Sequence, residues 1–319
     1  MSNLKKILSL LLALGLIAAF MTACNKQTTG TEKVTEEAAQ TAESGETAKV
    51  EDVTVYNKQE NPETVIMVVS FGTSFNDSRV KTIGGIESAI AKAFPNYEVR
   101  RAFTSQIIID KLAERDNVDI DNVTEALDRA VADGVKNLIV QPTHLMNGYE
   151  YTDLKEELEK YSDQFDSIKL GEPLLTSDSD YEAVIKAITE DMKDYDDGET
   201  AIAFMGHGTE ADSNGVYAKL QEKITAAGYK NFVIGTVEAE PSIDDVIAFA
   251  KAGSYKRVVL HPLMVVAGDH ANNDMAGDED DSWKSLLEKE GFEVVPVLEG
   301  LGQNEAIQQI YVQHVSALL

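Results

Sequence analysis

The sequence predicts an α/β fold made of two similar doubly wound units, each with a four-stranded parallel sheet and with a ligand cleft between them. Three observations carry that expectation. Short runs of Val, Ile and Leu recur along the chain, the mark of strands buried on both faces of a parallel sheet. Between them lie stretches with apolar residues at helical spacing, the alternation expected of βαβ units. The chain also repeats itself. KNLIVQPTHLMNG from Lys136 reads like KRVVLHPLMVVAG from Lys256, an offset of 120 positions that lays Pro142 over Pro262 and Gly148 over Gly268. A looser pair, VVSFGTSF and AFMGHGTE, sets Gly72-Thr73 over Gly208-Thr209.

Residues 1–24 lie outside any fold. Lys5 and Lys6 precede an apolar run from Ile7 to Met21, and Met21-Thr22-Ala23-Cys24 has the small residues of a cleavage site. This is a secretory signal, and its apolar run is too short to favour a membrane span. Cys24 is the only cysteine of the chain, and its place just after the cleavage site resembles a bacterial lipoprotein signal, which implies lipidation there. No disulfide framework or thiolate metal site is then available to the mature protein. Residues 25–60 are Thr, Glu, Ala and Lys with Tyr56 as the single aromatic, an acidic tether that cannot offset its own ordering entropy.

The first domain is expected over residues 61–196. Its strands are read at Thr64 to Phe71, Tyr97 to Phe103, Lys136 to Gln141 and Ser167 to Gly171. Helices fall at about Asp77 to Ala93, Asp121 to Asp133, Tyr149 to Tyr161 and Asp180 to Tyr195. The second of these opens on Asp121 as N-cap and closes on Gly134. Asp196-Asp197-Gly198 interrupts the pattern, and the second domain follows over residues 197–319. Its strands are read at Thr200 to Met205, Asn231 to Val237, Arg257 to Pro262 and Gly291 to Val297, with helices at Ile243 to Ala252, Ser282 to Glu290 and Asn304 to Leu318. The last helix is expected to pack back on the first unit.

Net charge is −27, with 55 acidic against 28 basic residues. That argues against nucleic acid, which needs basic grooves. It also disfavours docking on anionic lipid, so membrane attachment is by the lipid anchor only. No Walker loop, Rossmann GxGxxG, HExxH or GxSxG occurs.

Ligands of open parallel sheets bind where the strands end, and His144, His207, Glu172 and Glu238 all fall there. His144 faces Met264 in the repeat and Phe71 faces His207, so each histidine occurs in one copy only. A residue needed for structure alone would more naturally occur in both. Gly206 and Gly208 let the chain turn sharply around His207. His144 sits in a more apolar setting, where a satisfied core histidine is the alternative. Glu172, between Gly171 and Pro173, reads as a metal ligand or as a helix-capping carboxylate. Glu238 and Glu240 are further candidates for the cleft wall. Interaction with a helix dipole already accounts for Glu150. His261 reads as packed inside a strand and His314 as structural. The acidic stretch from Gly268 to Trp283 around His270 lacks EF-hand spacing. It binds a cation loosely or caps the helix near Ser282.

VVSFGTSF, RAFTSQIIIDKL, the strand ending in His144 with NGYEY after it, FMGHG, PLMVVAGDHANNDMAGDEDDSW and GLGQN together resemble the anaerobic-type sirohydrochlorin cobaltochelatases, relatives of ferrochelatase, from about Thr64 onward. The resemblance implies two α/β domains clasping a tetrapyrrole substrate. It implies His144 and His207 as metal ligands, His144 also as base, and Glu172 as a third ligand. Imidazole suits cobalt(II), and equally iron(II) or nickel(II). A substrate rich in carboxylates asks for basic contacts, and Arg100-Arg101 is the evident cationic pair near a strand end. The export signal is the departure from the family. It leaves a surface lipoprotein that binds haem or metal for uptake, without turnover, as the alternative to a chelatase.

Overall fold

The computed structural model describes residues 52–319. The signal segment, Cys24 and the tether through residue 51 lie outside the described residues. The apolar runs form two sheets. The first contains β1 (Val55–Tyr56), β2 (Thr64–Ser70), β3 (Glu98–Phe103), β4 (Asn137–Pro142) and β5 (Ser167–Leu170) in the order β1-β3-β2-β4-β5. The second contains β6 (Thr200–Gly206), β7 (Phe232–Thr236), β8 (Arg257–Pro262) and β9 (Glu293–Pro296) in the order β7-β6-β8-β9. All pairings are parallel except β1 with β3. Without β1 the two orders are the same, so the repeat seen in the sequence is a repeat of topology.

Among the described residues ten α-helices connect and cover the strands: α1 (Asn76–Lys81), α2 (Ile83–Ala93), α3 (Gln106–Asp116), α4 (Val123–Ala132), α5 (Tyr149–Lys160), α6 (Asp178–Asp191), α7 (Gly215–Ala226), α8 (Ile243–Ala252), α9 (Trp283–Lys289) and α10 (Glu305–Ser316). Side chains of a strand alternate between faces, and β2 uses both. Val65, Met67 and Val69 pack with α4 and α5, whereas Ile66 and Val68 join a core with α2, α6 and α10. β6 does the same, sending Ala201, Ala203 and Met205 toward α8 and α9 and Ile202 and Phe204 into that same core. One apolar layer therefore serves both sheets. α10 crosses back to the first sheet as expected: the buried Tyr311 hydroxyl donates to the Thr143 carbonyl (2.8 Å).

Four expectations change. The acidic tether does not run to residue 60, because β1 adds an antiparallel edge strand and Asp52 reaches two buried arginines: Arg101 at 2.6 Å and Arg79 at 2.5 Å. Burial alone would raise the Asp52 carboxyl, but the Arg101 charge and the hydrogen bonds from Arg101 and Arg79 outweigh it and hold it below the usual range. The helix read over 77–93 is two helices that break at Thr82, whose hydroxyl donates to the Ser78 carbonyl (2.6 Å). The second begins on Gly84-Gly85, where a Cβ at Gly85 would meet Gln308 Nε2 of α10 at 2.7 Å. α4 is capped by Asn122 in a capping box with Glu125, and Asp121 binds Arg129 instead. α3 and α7 were not expected. Three successive isoleucines hide the period of α3, which buries Ile109 and Leu112 but leaves Ile107 in solvent.

Candidate metal centre

The strand ends of the two sheets meet. The loop after β2 touches the loop after β8, where a Cβ at Gly268 would lie 3.3 Å from Thr73 Oγ1 and the Ala267 amide donates to Ser78 Oγ (2.9 Å). The loop after β4 approaches the loop after β6, with Ser213 Oγ 3.7 Å from a Cβ placed at Gly148. These are the contacts a two-fold relation between the halves would exchange, since β2 corresponds to β6 and β4 to β8.

His207 leaves the end of β6 between two glycines that each have a physical reason. A Cβ at Gly206 would strike the Tyr217 ring at 2.3 Å, and Gly208 holds φ +86° with Ala239 N 2.8 Å from its Cβ position. The amides of Val237 and Glu238 donate to the carbonyls of Gly206 (3.0 Å) and His207 (2.9 Å), which carries the β6–β7 ladder one step further and sets Glu238 beside His207. His270 opens a π-helical turn, Ala271–Met275, whose Ala271 and Met275 are anchored in the core under the second sheet. The His207 and His270 rings meet edge to face, centroids 4.7 Å apart.

His207, Glu238 and His270 each offer a ligand atom, and the three atoms lie within 4.8 Å of one another. The remaining ring nitrogens fix the tautomers. His207 Nδ1 donates to the Gly208 carbonyl (2.7 Å) and His270 Nδ1 to the Asp274 carboxylate (2.6 Å). Both oxygens only accept, so each Nε2 keeps its lone pair for an ion. The Asp274–His270 pair is the carboxylate–imidazole support found behind metal-bound histidines.

Of the residues singled out in the sequence, His207 and Glu238 enter this group; His144 and Glu172 do not. His144 lies after β4 with its side chain 9% exposed and Nε2 3.3 Å from the Glu150 carboxylate. Neither ring nitrogen makes a well-formed hydrogen bond, an unusual state for a buried imidazole. Glu172 is placed by its backbone, its carbonyl accepting from Gln141 Nε2 (3.0 Å) and His314 Nδ1 (3.1 Å). Glu240 lends its carbonyl to Asn214 Nδ2 (2.7 Å). His261 is buried in β8 and held below its ordinary pKa by desolvation. His314 binds Asp180 (3.0 Å), tying α10 to α6. The acidic loop after His270 pairs with the lysines of α9, Asp278 with Lys284 (2.7 Å) and Asp280 with Lys289 (3.0 Å), while Ser282 caps that helix.

The sequence reading named His270 only as the centre of an acidic stretch that binds a cation loosely or caps a helix, and did not set it beside His207. The 120-residue repeat held the signal, since it lays Glu150 over His270 just as it lays Gly148 over Gly268. Arg100 and Arg101 are also not the free cations expected. Both are buried, Arg101 between Glu87 (2.7 Å) and Asp52, and Arg100 between Glu98 (2.6 Å) and Asp133 (2.8 Å).

Two like α/β halves joined at their strand ends, with an open imidazole–carboxylate cluster in the join, define a chelatase-type protein. SirB from Bacillus subtilis, solved with Fe3+, shares the fold with a TM-score of 0.58 at 14% identity, over 80% of this chain and 94% of that one. Residues 64–319 match the cobalt chelatase (CbiK) family, and the chain belongs to it. The sirohydrochlorin cobaltochelatase of Salmonella typhimurium is 39% identical over 254 residues, 80% of this chain and 96% of the relative. The sirohydrochlorin cobaltochelatase CbiKC of Nitratidesulfovibrio vulgaris is 32% identical over 254 residues, 79% of this chain and 89% of the relative.

Proposed function

We propose that this protein inserts cobalt(II) into sirohydrochlorin or a closely related tetrapyrrole. The observation that carries the reading is the His207–Glu238–His270 cluster at the meeting of the strand ends, in a chain with family membership and two relatives named for that reaction. Two imidazoles and a carboxylate suit cobalt(II) without thiolate. Glu238 and His207 are about half exposed, with side chains 57% and 49% accessible, so the ion enters and leaves without unfolding its site.

Insertion also requires two pyrrole protons to leave. His144, from the other half, fits that role: a buried imidazole with both nitrogens unsatisfied and the Glu150 carboxylate at 3.3 Å to stabilise its protonated form. His207 thus keeps the ligand role expected of it and His144 keeps that of proton acceptor, while the remaining ligands are Glu238 and His270 in place of His144 and Glu172. The test is direct. Purified protein mixed with sirohydrochlorin and cobalt(II) should convert the free-base absorbance spectrum to that of the metallated ring. The His207→Ala/His270→Ala variant should not, and equal rates in the two proteins would overturn the assignment.

We further propose that the chain acts outside the cytoplasm, held to the membrane through a lipid on Cys24. The support is the signal-like segment ending at that single cysteine. Mass spectrometry of the mature N-terminus should find a diacylated cysteine, lost in Cys24→Ser; an unmodified or uncleaved N-terminus would refute it.

A further inference from the structure

With Arg100 and Arg101 sealed inside ion pairs, the carboxylates of the macrocycle need another partner, and the structure holds one. A cavity of about 550 Å³ lies between the halves, bounded by the loop after β2, α1, α3, the turn that follows His270, and the segment after β9. That is the size of a small-molecule site. Lys81, Lys111 and Arg115 line it, with Asp77 and Glu299 as its carboxylates. Arg115 is paired with Asp116, so Lys81 and Lys111 are the lining cations without an ion pair among the described residues, in a chain whose net charge is −27.

The cations are arranged, not scattered. Residues four apart share a helix face, so Ile107, Lys111 and Arg115 form one stripe along α3. Arg115 is anchored by the Ser74 carbonyl (2.6 Å) and by Asn76 Oδ1 (2.9 Å), both in the loop that walls the cavity. Neither Lys81 nor Lys111 makes an ion pair among the described residues, and both are exposed. Leu298 lines the cavity and is exposed, and Ile107, one turn before Lys111 on α3, is exposed as well. Asn272 lines the cavity too, two residues after His270. Two residues of chain span at most about 7 Å, so the cavity begins within reach of a ring whose centre sits over the imidazoles.

We propose that this cavity is the carboxylate-recognition subsite for the macrocycle, a proposal that rests on the tetrapyrrole reading above. Lys81 and Lys111 receive the acid side chains at one edge of the ring, with Leu298 against its flat apolar surface. Cations on flexible stems select for a polycarboxylate ring over one carrying few acids. Charge complementarity of this kind sets specificity more than raw affinity.

The experiment is a fluorescence titration of the full-length chain, without metal, using octacarboxylate uroporphyrin and dicarboxylate mesoporphyrin as probes. The Lys81→Gln/Lys111→Gln variant replaces exposed side chains and should fold as the parent does, checked by circular dichroism. Its affinity for uroporphyrin should fall about tenfold or more and lose much of its salt dependence, with mesoporphyrin affinity changing by less than about twofold. Unchanged uroporphyrin affinity, or an equal loss for both probes, overturns the subsite while cobalt insertion by the parent still upholds the function. A parent that binds uroporphyrin through these lysines but inserts no cobalt overturns the function and upholds the subsite. A parent that binds neither probe overturns both.

Discussion

Replacing His270 separates the geometry described here from the one the sequence implies. An ion with bonds of about 2.1 Å sets neighbouring ligand atoms roughly 3.0 to 3.4 Å apart. The three atoms of the cluster lie within 4.8 Å of one another, close enough for a modest shift to bring them to that spacing. His270 is the member held by a side chain behind it, through Asp274 at 2.6 Å. His207 and Glu238 are the more exposed and close on the ion. Removing the fixed ligand should therefore cost more than loosening it. We expect His270→Ala to weaken cobalt(II) binding by about 100-fold, and Asp274→Asn, which removes only the supporting charge, by about tenfold. His144→Ala should leave cobalt affinity within about threefold while slowing insertion by about 10² to 10⁴, the range for a lost proton acceptor. Titration calorimetry with cobalt(II) gives the affinities and stopped-flow absorbance gives the insertion rates. Should His144→Ala abolish cobalt binding while His270→Ala leaves it intact, the reasoning from the cluster is wrong.

Three other outcomes follow from packing and charge. Asp52→Ala strands Arg79 without a carboxylate and leaves Arg101 only Glu87, so urea unfolding at neutral pH should show a loss of about 2 to 4 kcal/mol. Because the folded-state pKa of Asp52 lies below its unfolded value, this stabilisation is present above about pH 4 and fades as pH falls through the folded value; the gap between parent and variant should shrink in acid. Gly206→Ala drives a methyl into the Tyr217 ring and should cost about 1 to 3 kcal/mol in thermal melts while displacing His207 and lowering cobalt affinity, whereas Gly134→Ala meets no atom and is opposed only by its φ of +75°. Tyr311→Phe leaves the buried Thr143 carbonyl without its donor, which should cost about 1 to 3 kcal/mol and slow insertion through the adjacent His144, with cobalt affinity unchanged.

The strands were legible because burial on both faces writes them as unbroken apolar runs; all eight expected strands form, with ends shifted by a residue or two. α3 was not, since Ile107-Ile108-Ile109 has no helical period of its own. Its register is set by what Ile109 and Leu112 pack against. The edge strand β1 escaped notice for a different reason. Val55 and Tyr56 are too few to carry a pattern, and the Asp52 ion pairs that secure them join residues 27 and 49 positions apart. At the candidate metal centre, His207 was legible from its flanking glycines. His270 was masked by the acidic residues around it, two of which pair with lysines of α9, and its one telling neighbour, Asp274, stands four residues on across a turn of π geometry that periodicity does not anticipate.

The repeat explains why one half holds the imidazoles of the cluster. Superposing the copies puts Phe71 at the place of His207, Glu150 at that of His270 and Met264 at that of His144. A scaffold with equal halves would build two equal sites facing each other, and an ion held from both sides would be slow to leave. Here the second half carries the imidazole pair with Glu238, and the matching positions of the first half carry an exposed aromatic and a carboxylate 3.3 Å from the unsatisfied His144 imidazole. The duplication supplies two walls of like shape, and the substitutions between the copies give the walls unlike chemistry, which on the proposed reading makes one a cation-binding wall and the other a proton-accepting one. A flat ring that must exchange two protons for one ion needs both kinds of wall.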